Sequence, residues 1–513
     1  MKYSIQSTIK SYPHHSARQD KKDLTQGNIL IQLLLFALPI LFTNVFHQLY
    51  NVVDSIVVGR YVGHEALAAV GANNSISNLL MCLFLGLGAG GGVIVAQYYG
   101  AKDYDNVSRT VHNIIILAIT CGVAISVAGF FLARPILLLI QSPSDVIDYS
   151  TQYLQIYFVG AVSVLFYNMG SAILRAIGNS FAPLLYLIVC AIINCVLDFL
   201  FVKDFGWGIK GAAWATVIAQ TVSAILVLLN LILTKSPCRL SAKKLKPDSV
   251  LIGKIIKVGL PIGLQTSMFS IANLLLQASL GANFNSVVMA GWVAANKVDT
   301  LTYAPIQSFG IAVNTFAGQN VGARKYDRVK KGVFVGSALA LCTALLVIVP
   351  MLIWRRPIIG IFSEEKAVID IGARAMCYII PFYTVFGLTE VLSGTLRGVG
   401  KTVTSASIAL IGIGGVRVFW LYVIVPIWPT IDVLFFVHPI SWVTNFLLFL
   451  IYYLIKKWNG VLNIGGKQLI NTQQPEDIVN TSIECTSTSC QSIECKAVEC
   501  VSTDIQGNDN TNN

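Results

Sequence analysis

The sequence predicts an all-α polytopic membrane protein with twelve transmembrane helices in two homologous six-helix bundles, and three observations carry that prediction. Only 12% of the 513 residues are charged and 55% are hydrophobic, whereas soluble chains carry roughly 25% charged residues. Apolar runs recur from Ile29 to Tyr453, each long enough to cross a hydrocarbon core about 30 Å thick. The chain also matches itself at a constant offset of 222 residues.

The elements follow in order. Residues 1–28 are polar and basic, with Lys10, Arg18, Lys21 and Lys22, and show no short apolar stretch followed by a small-residue cleavage site. The first span is therefore expected to act as its own insertion signal. Gaps rich in Gly, Pro, Asn and charge divide the rest into spans at 29–57, 68–98, 113–138, 151–173, 182–202 and 211–233. A basic linker, 234–254, leads to spans at 255–280, 287–317, 333–353, 374–394, 404–425 and 433–455. The expected domains are an N-terminal segment 1–28, a first bundle 29–233, the linker, a second bundle 255–457 and a polar tail 458–513.

Placing the N-terminus in the cytoplasm assigns 24 Lys and Arg residues to the inner segments and eight to the outer ones. That bias over short loops orients the chain in a cell membrane, inner or plasma, with both termini cytoplasmic. It also explains the net charge of +11 without nucleic acid as a partner. Lys235, Arg239, Lys243, Lys244, Lys246, Lys254 and Lys257 cluster around the linker, which reads as a topology anchor or as a contact for membrane lipids.

The repeat pairs Pro39 with Pro261, Asn51 with Asn273, and Arg134-Pro135 with Arg356-Pro357. Gln97-Tyr-Tyr-Gly100-Ala matches Gln319-Asn-Val-Gly322-Ala, and Leu174-Arg175-Ala-Ile-Gly178 matches Leu396-Arg397-Gly-Val-Gly400. Six spans per repeat make both halves enter the membrane from the same side, a parallel repeat with the transport path at its interface. Gly100 and Gly322 suit helix ends that leave the right-handed region, Asp103 and Asp105 suit caps of the next helix, and Gly178 and Gly400 should stop the helices that carry Arg175 and Arg397. Those two arginines are candidates for a conformational role or for anchoring at the inner surface.

An ionisable group deep in a bilayer costs about 2.5–3.5 kcal/mol even on a lenient scale, so it needs a partner, water or a function. Asp54, Asp198 and Glu390 are the isolated acids. Tyr50 and Asn51 precede Asp54 by four and three residues and share its helix face, as Asn194 does with Asp198. Depth along the helices, at about 1.5 Å per residue, brings Asp54, Asn51, Asn194, Asp198 and Thr216 to the outer part of the first bundle. Two carboxylates in one low-dielectric chamber share or take up a proton. Na⁺ suits the same oxygen ligands. The second half lacks the pattern, because Leu276, Val416 and Trp420 stand at the matching positions. It carries Lys297, Asp299, Glu390 and Arg417 instead, with Glu390 read either as a contact for a cationic substrate or as the ion-pair partner of Arg417.

These residues, in this order, resemble the multidrug and toxic compound extrusion (MATE) family from about Leu24 to Trp458. The resemblance rests on Val53-Asp54 and Gly59-Arg60, Gln97 with Gly100, Leu174-Arg175-Ala-Ile-Gly178, Asn194-Cys-Val-Leu-Asp198 and Gly211-Ala-Ala-Trp-Ala-Thr216. It implies a V-shaped pair of bundles that exports organic cations or amphipathic drugs as a monomer, driven by H⁺ or Na⁺ entry, with no other cofactor and no enzymatic activity. The DNA-damage-inducible branch places its cation site on acids matching Asp54 and Asp198, with Asn194 and Thr216 alongside. The other bacterial branch has a key Glu in span seven, where this chain reads Pro261-Ile-Gly-Leu-Gln265-Thr266-Ser267. A flippase for lipids or lipid-linked precursors, from the same superfamily, is the competing function, and a non-transporting scaffold is a third. In the tail, Cys485, Cys490, Cys495 and Cys500 recur every fifth residue without the close pairs of a structural Zn site, so disorder is expected there.

Overall fold

A computed structural model describes residues 23–139, 147–284 and 286–462. The tail cysteines and most of the N-terminal segment lie outside the described residues. Helices run as α1 Ile29–Tyr61, α2 His64–Gly100, α3 Tyr104–Leu139, α4 Ile147–Val159, α5 Ala161–Ala176, α6 Phe181–Asp198 and α7 Gly208–Leu233. After the linker come α8 Ser249–Asn283, α9 Ser286–Gly322, α10 Tyr326–Ile353, α11 Arg355–Gly360, α12 Lys366–Ile379 and α13 Tyr383–Val399. The chain closes with α14 Thr402–Ala409, α15 Val416–Phe419, α16 Val425–Ile427, α17 Ile431–Phe435 and α18 Val437–Leu462. Three π-helical stretches, Phe199–Asp204, Leu410–Gly415 and Trp420–Ile424, interrupt the segments around α6 and α15.

Ten of the described helical segments are long and apolar enough to cross a membrane, or eleven if α4 and α5, bent by 49°, form one span. The remaining long helix, α9, carries Asn296, Lys297, Asp299, Gln319 and Asn320 and so falls short of the apolar criterion. Leu233, Leu346 and Phe131 are 72–75% exposed, which suits a surface solvated by lipid tails and not by water. The architecture is thus all-α and polytopic.

Local chemistry sets the helix ends. Asn28 caps α1 by accepting from the Leu30 and Ile31 amides, and Asp248 caps α8 through the Val250 and Leu251 amides. Asp103 accepts from the Asn106 amide at the start of α3, while Asp105 lies in its first turn and does not cap. Gly178 and Gly400 turn left-handed, with φ of +84° and +94°, and end α5 and α13 as the sequence suggests.

Gly100 and Gly322 do something else. They stay helical, and the left-handed residues are Lys102 and Arg324, two positions on. The glycines are required by a close approach instead. A Cβ on Gly100 would lie 1.9 Å from the Gln319 carbonyl oxygen, and one on Gly322 would lie 1.9 Å from that of Gln97. The two α-helical ends therefore meet backbone to backbone.

The same principle seals the contact of α2 with α8. Gly86 faces Gly263 and Gly90 faces Gly259, so closely that a Cβ on Gly86 would be 2.2 Å from the Gly263 nitrogen. Small residues allow such approach where no water drives helices together. The matching pair, α1 with α9, has Ala37, Leu41, Ser308 and Ala312 at those positions. There Asn44 donates to Ser308 Oγ at 3.0 Å and to the Ala304 carbonyl at 3.4 Å.

Candidate functional site

Four helices of the first half place the site. Tyr50 and Asp54 lie one turn apart on α1, Asn194 and Asp198 one turn apart on α6, Thr216 and Gln220 on α7, and Tyr153 and Tyr157 on α4. All but Tyr157 are buried: Asp54 is 6% exposed, and Asn194 and Asp198 are fully enclosed. The i, i+4 spacing explains this, since each helix turns one face inward and carries its polar pair there. Tyr153 and Tyr157 stack at 6.4 Å. Asp54 and Asp198 lie within electrostatic reach of each other, and Tyr153 within reach of both.

The polar atoms gathered here that lack a partner among the described residues are acceptor oxygens. Asn194 Nδ2 donates to Thr216 Oγ1 at 3.4 Å. Asp54 Oδ1, both Asp198 oxygens, Asn194 Oδ1 and Gln220 Oε1 are buried, and no hydrogen-bond donor among the described residues reaches them. A buried oxygen with no donor is costly, and ionised carboxylates only accept. The chemistry that satisfies such a set is a proton or a small hard cation. Immediately after Asp198 the π-helical stretch Phe199–Asp204 begins, a local change of winding of the kind often found at functional positions.

Asn51 is partly exposed and approaches His47 at 3.4 Å. Sequence reasoning missed Gln220 and Tyr153. Gln220 was legible as the residue one turn beyond Thr216, but the contribution of α4 depends on its packing angle.

The second half overturns one sequence expectation. Glu390 does not pair with Arg417. Its Oε2 accepts from Arg397 Nη2 at 3.1 Å, seven residues along α13, with both side chains largely buried. Arg417 donates instead to Asn273 Oδ1 at 2.8 Å and Ser441 Oγ at 3.2 Å. Its short helix, α15, packs against α8 and α18. Asp299 accepts from the Tyr383 hydroxyl at 2.7 Å. Tyr383 itself is fully buried. Arg175, partly buried at the end of α5, has Asn168 seven residues before it, where Arg397 has Glu390.

Compared with known proteins, the chain matches one family model, MatE, twice, over residues 39–200 and 261–423. The chain belongs to the MatE family. The two matches fall on the two halves of the internal repeat, so the duplication of this MatE protein is a duplication of the family unit itself. Among curated relatives, it is 29% identical over 379 residues to the probable multidrug resistance protein YpnP of Bacillus subtilis, spanning 74% of this chain and 84% of that one. It is 28% identical to the multidrug resistance protein PmpM of Pseudomonas aeruginosa, over 75% of this chain and 82% of that one. Among solved structures, a multidrug resistance MATE family transporter of the MOP superfamily in an outward-facing conformation superposes with a TM-score of 0.79 at 21% identity, covering 86% of this MatE chain and 98% of the other.

Proposed function

We propose that this protein is a cation-coupled antiporter that exports organic cations or amphipathic drugs by alternating access, with H⁺ or Na⁺ exchanging at Asp54 and Asp198. The single observation that carries the reading is the enclosed oxygen cluster of Asp54, Asp198, Asn194 and Gln220, which no donor among the described residues satisfies. Asn194 and Thr216 hold the pocket's geometry, and Tyr50 and Asn51 connect it to the surface of α1. The names of the relatives, multidrug resistance proteins, agree with such cargo. A pocket whose buried carboxylate and amide oxygens lack donors suits a cation and opposes a lipid phosphate, which favours export over the flippase reading.

In this reading α9 and the α4–α5 pair complete twelve spans, arranged as two six-helix bundles in a parallel repeat with both termini in the cytoplasm of a monomer. The bundles correspond to 29–233 and 255–457, and the basic linker lies against lipid headgroups. The acids of the first half align the chain with the DNA-damage-inducible branch. In the same reading the contacts of Gln97, Gly100, Gln319 and Gly322 hold the inner ends of α2 and α9 together, and the cleft opens outward.

The test is gradient-driven export in reconstituted vesicles, with proton and Na⁺ gradients imposed separately. Wild type should export a cationic dye under one of them, and Asp54→Asn and Asp198→Asn should each abolish the coupling. Undiminished export by both variants would sink the site. Transport of a fluorescent lipid in place of the dye would establish the flippase, and transport of neither would favour a scaffold.

A further inference from the structure

The two halves carry opposite charge at the same level of the fold. Asp198 immediately precedes the π-helical stretch Phe199–Asp204, and Arg417 lies three residues before the corresponding stretch Trp420–Ile424. At the repeat offset Arg417 replaces Cys195, one turn before Asp198, and Asn273 replaces Asn51. Where the first half has two acids, the second has a guanidinium with Asp299 within electrostatic reach.

Arg417 is 1% exposed, yet both of its hydrogen-bond acceptors, Asn273 Oδ1 and Ser441 Oγ, are neutral. No described carboxylate lies within 4.0 Å of it, and Asp299, within electrostatic reach, is turned to Tyr383. Beside Ser441, the Trp442 indole Nε1 is a second buried donor, with the residue 4% exposed and no partner for that nitrogen among the described residues. Guanidinium and indole only donate. A buried cation held by neutral oxygens is incompletely compensated, and a planar carboxylate matches its fork.

The approach runs through Asn273. On α8, Gly259, Gly263 and Ser270 lie against α2, with Ser270 Oγ 4.0 Å from Cys82 Sγ. Asn273 continues that face by one turn and is exposed. It therefore stands between Arg417 and the space between the halves, its amide oxygen on Nη1.

We propose that Arg417 and Asn273 form a carboxylate-binding subsite, and that the protein carries zwitterionic amphiphiles whose carboxylate replaces the Asn273 oxygen on Arg417. The proposal rests on the export reading above: the amine end of the same molecule faces the acidic first half.

The experiment measures binding by fluorescence anisotropy to the purified full-length protein in detergent, using an esterified rhodamine cation and the same rhodamine as its free acid. Wild type should bind the free acid more tightly. Asn273→Asp, a near-isosteric change that fixes a carboxylate on Arg417, should weaken the free acid by about tenfold and leave the ester unchanged or tightened. Arg417→Gln should act in the same direction, and where it misfolds Asn273→Asp decides alone. An equal effect of Asn273→Asp on both dyes, or on neither, would overturn the subsite. Acetate that strengthened ester binding would overturn it too, by assigning the position to a free anion. Asp54→Asn separates the two proposals: lost coupling with an intact preference for the free acid supports both, and intact coupling defeats only the export site.

Discussion

Gln97 and Gln319, 222 positions apart, make the same hydrogen bond in opposite directions: Gln97 Nε2 donates to the Gly398 carbonyl and Gln319 Nε2 to the Ala176 carbonyl, each at 2.8 Å. Gly398 and Ala176 are themselves related by the offset. Each half thus reaches into the helix end of the other. Gln319 does more, because its Oε1 also accepts from the Leu24 amide at 3.0 Å. Losing a buried partner costs about 1–3 kcal/mol per group left unsatisfied. Gln319→Ala should therefore destabilise the protein more than Gln97→Ala, as read from thermal unfolding midpoints in detergent, and equal effects would contradict the asymmetry.

Gly100 and Gly322 lie beside this pair. Alanine at either places a Cβ about 2 Å from a carbonyl oxygen of a backbone that cannot move as a side chain does. Gly100→Ala and Gly322→Ala should each cost more than the roughly 1–3 kcal/mol typical of overpacking. Size-exclusion profiles of fluorescently tagged variants should show loss of the monodisperse peak, and an unchanged profile would refute the close approach.

The repeat was legible because one offset aligns motifs that need no structure to compare. The gathering of Asp54, Asn194, Asp198 and Thr216 was legible because depth along a helix is arithmetic and i, i+4 pairs share a face. The partner of Glu390 was not. Arg397 and Arg417 were both present in the second half, and although Arg397 shares the face of Glu390 two turns along α13, periodicity within one helix does not exclude a partner on another. The role of Gly100 was misread for a related reason: a sequence shows that a Cβ is absent, but not whether φ or a neighbouring backbone requires it.

Two glycines separate those causes experimentally. Gly400 has φ of +94°, where an L side chain is strained, while Gly253, helical in α8, has nothing within 4 Å of a built Cβ. Gly400→Ala should lose about 1–2 kcal/mol. Gly253→Ala should gain about 0.5–1 kcal/mol by restricting the unfolded chain. Opposite shifts of the unfolding midpoint are the expected result, and shifts of the same sign would count against it.

The Glu390–Arg397 pair supplies the last prediction. With side-chain exposures of 7% and 13%, the carboxylate and guanidinium are shielded from solvent, so removing one leaves the other charge uncompensated. Glu390→Gln should destabilise by about 3–5 kcal/mol, as breaking a buried pair does. The double variant, Glu390→Gln with Arg397→Gln, removes both charges and should recover most of that loss, because replacing a buried pair by neutral groups is often close to energetically balanced. The measurement is a double-mutant cycle of denaturant unfolding in mixed micelles. Additive losses would show that the two residues act separately. A Glu390→Gln variant rescued by neutralising Arg417 and not Arg397 would restore the pairing that the sequence suggested.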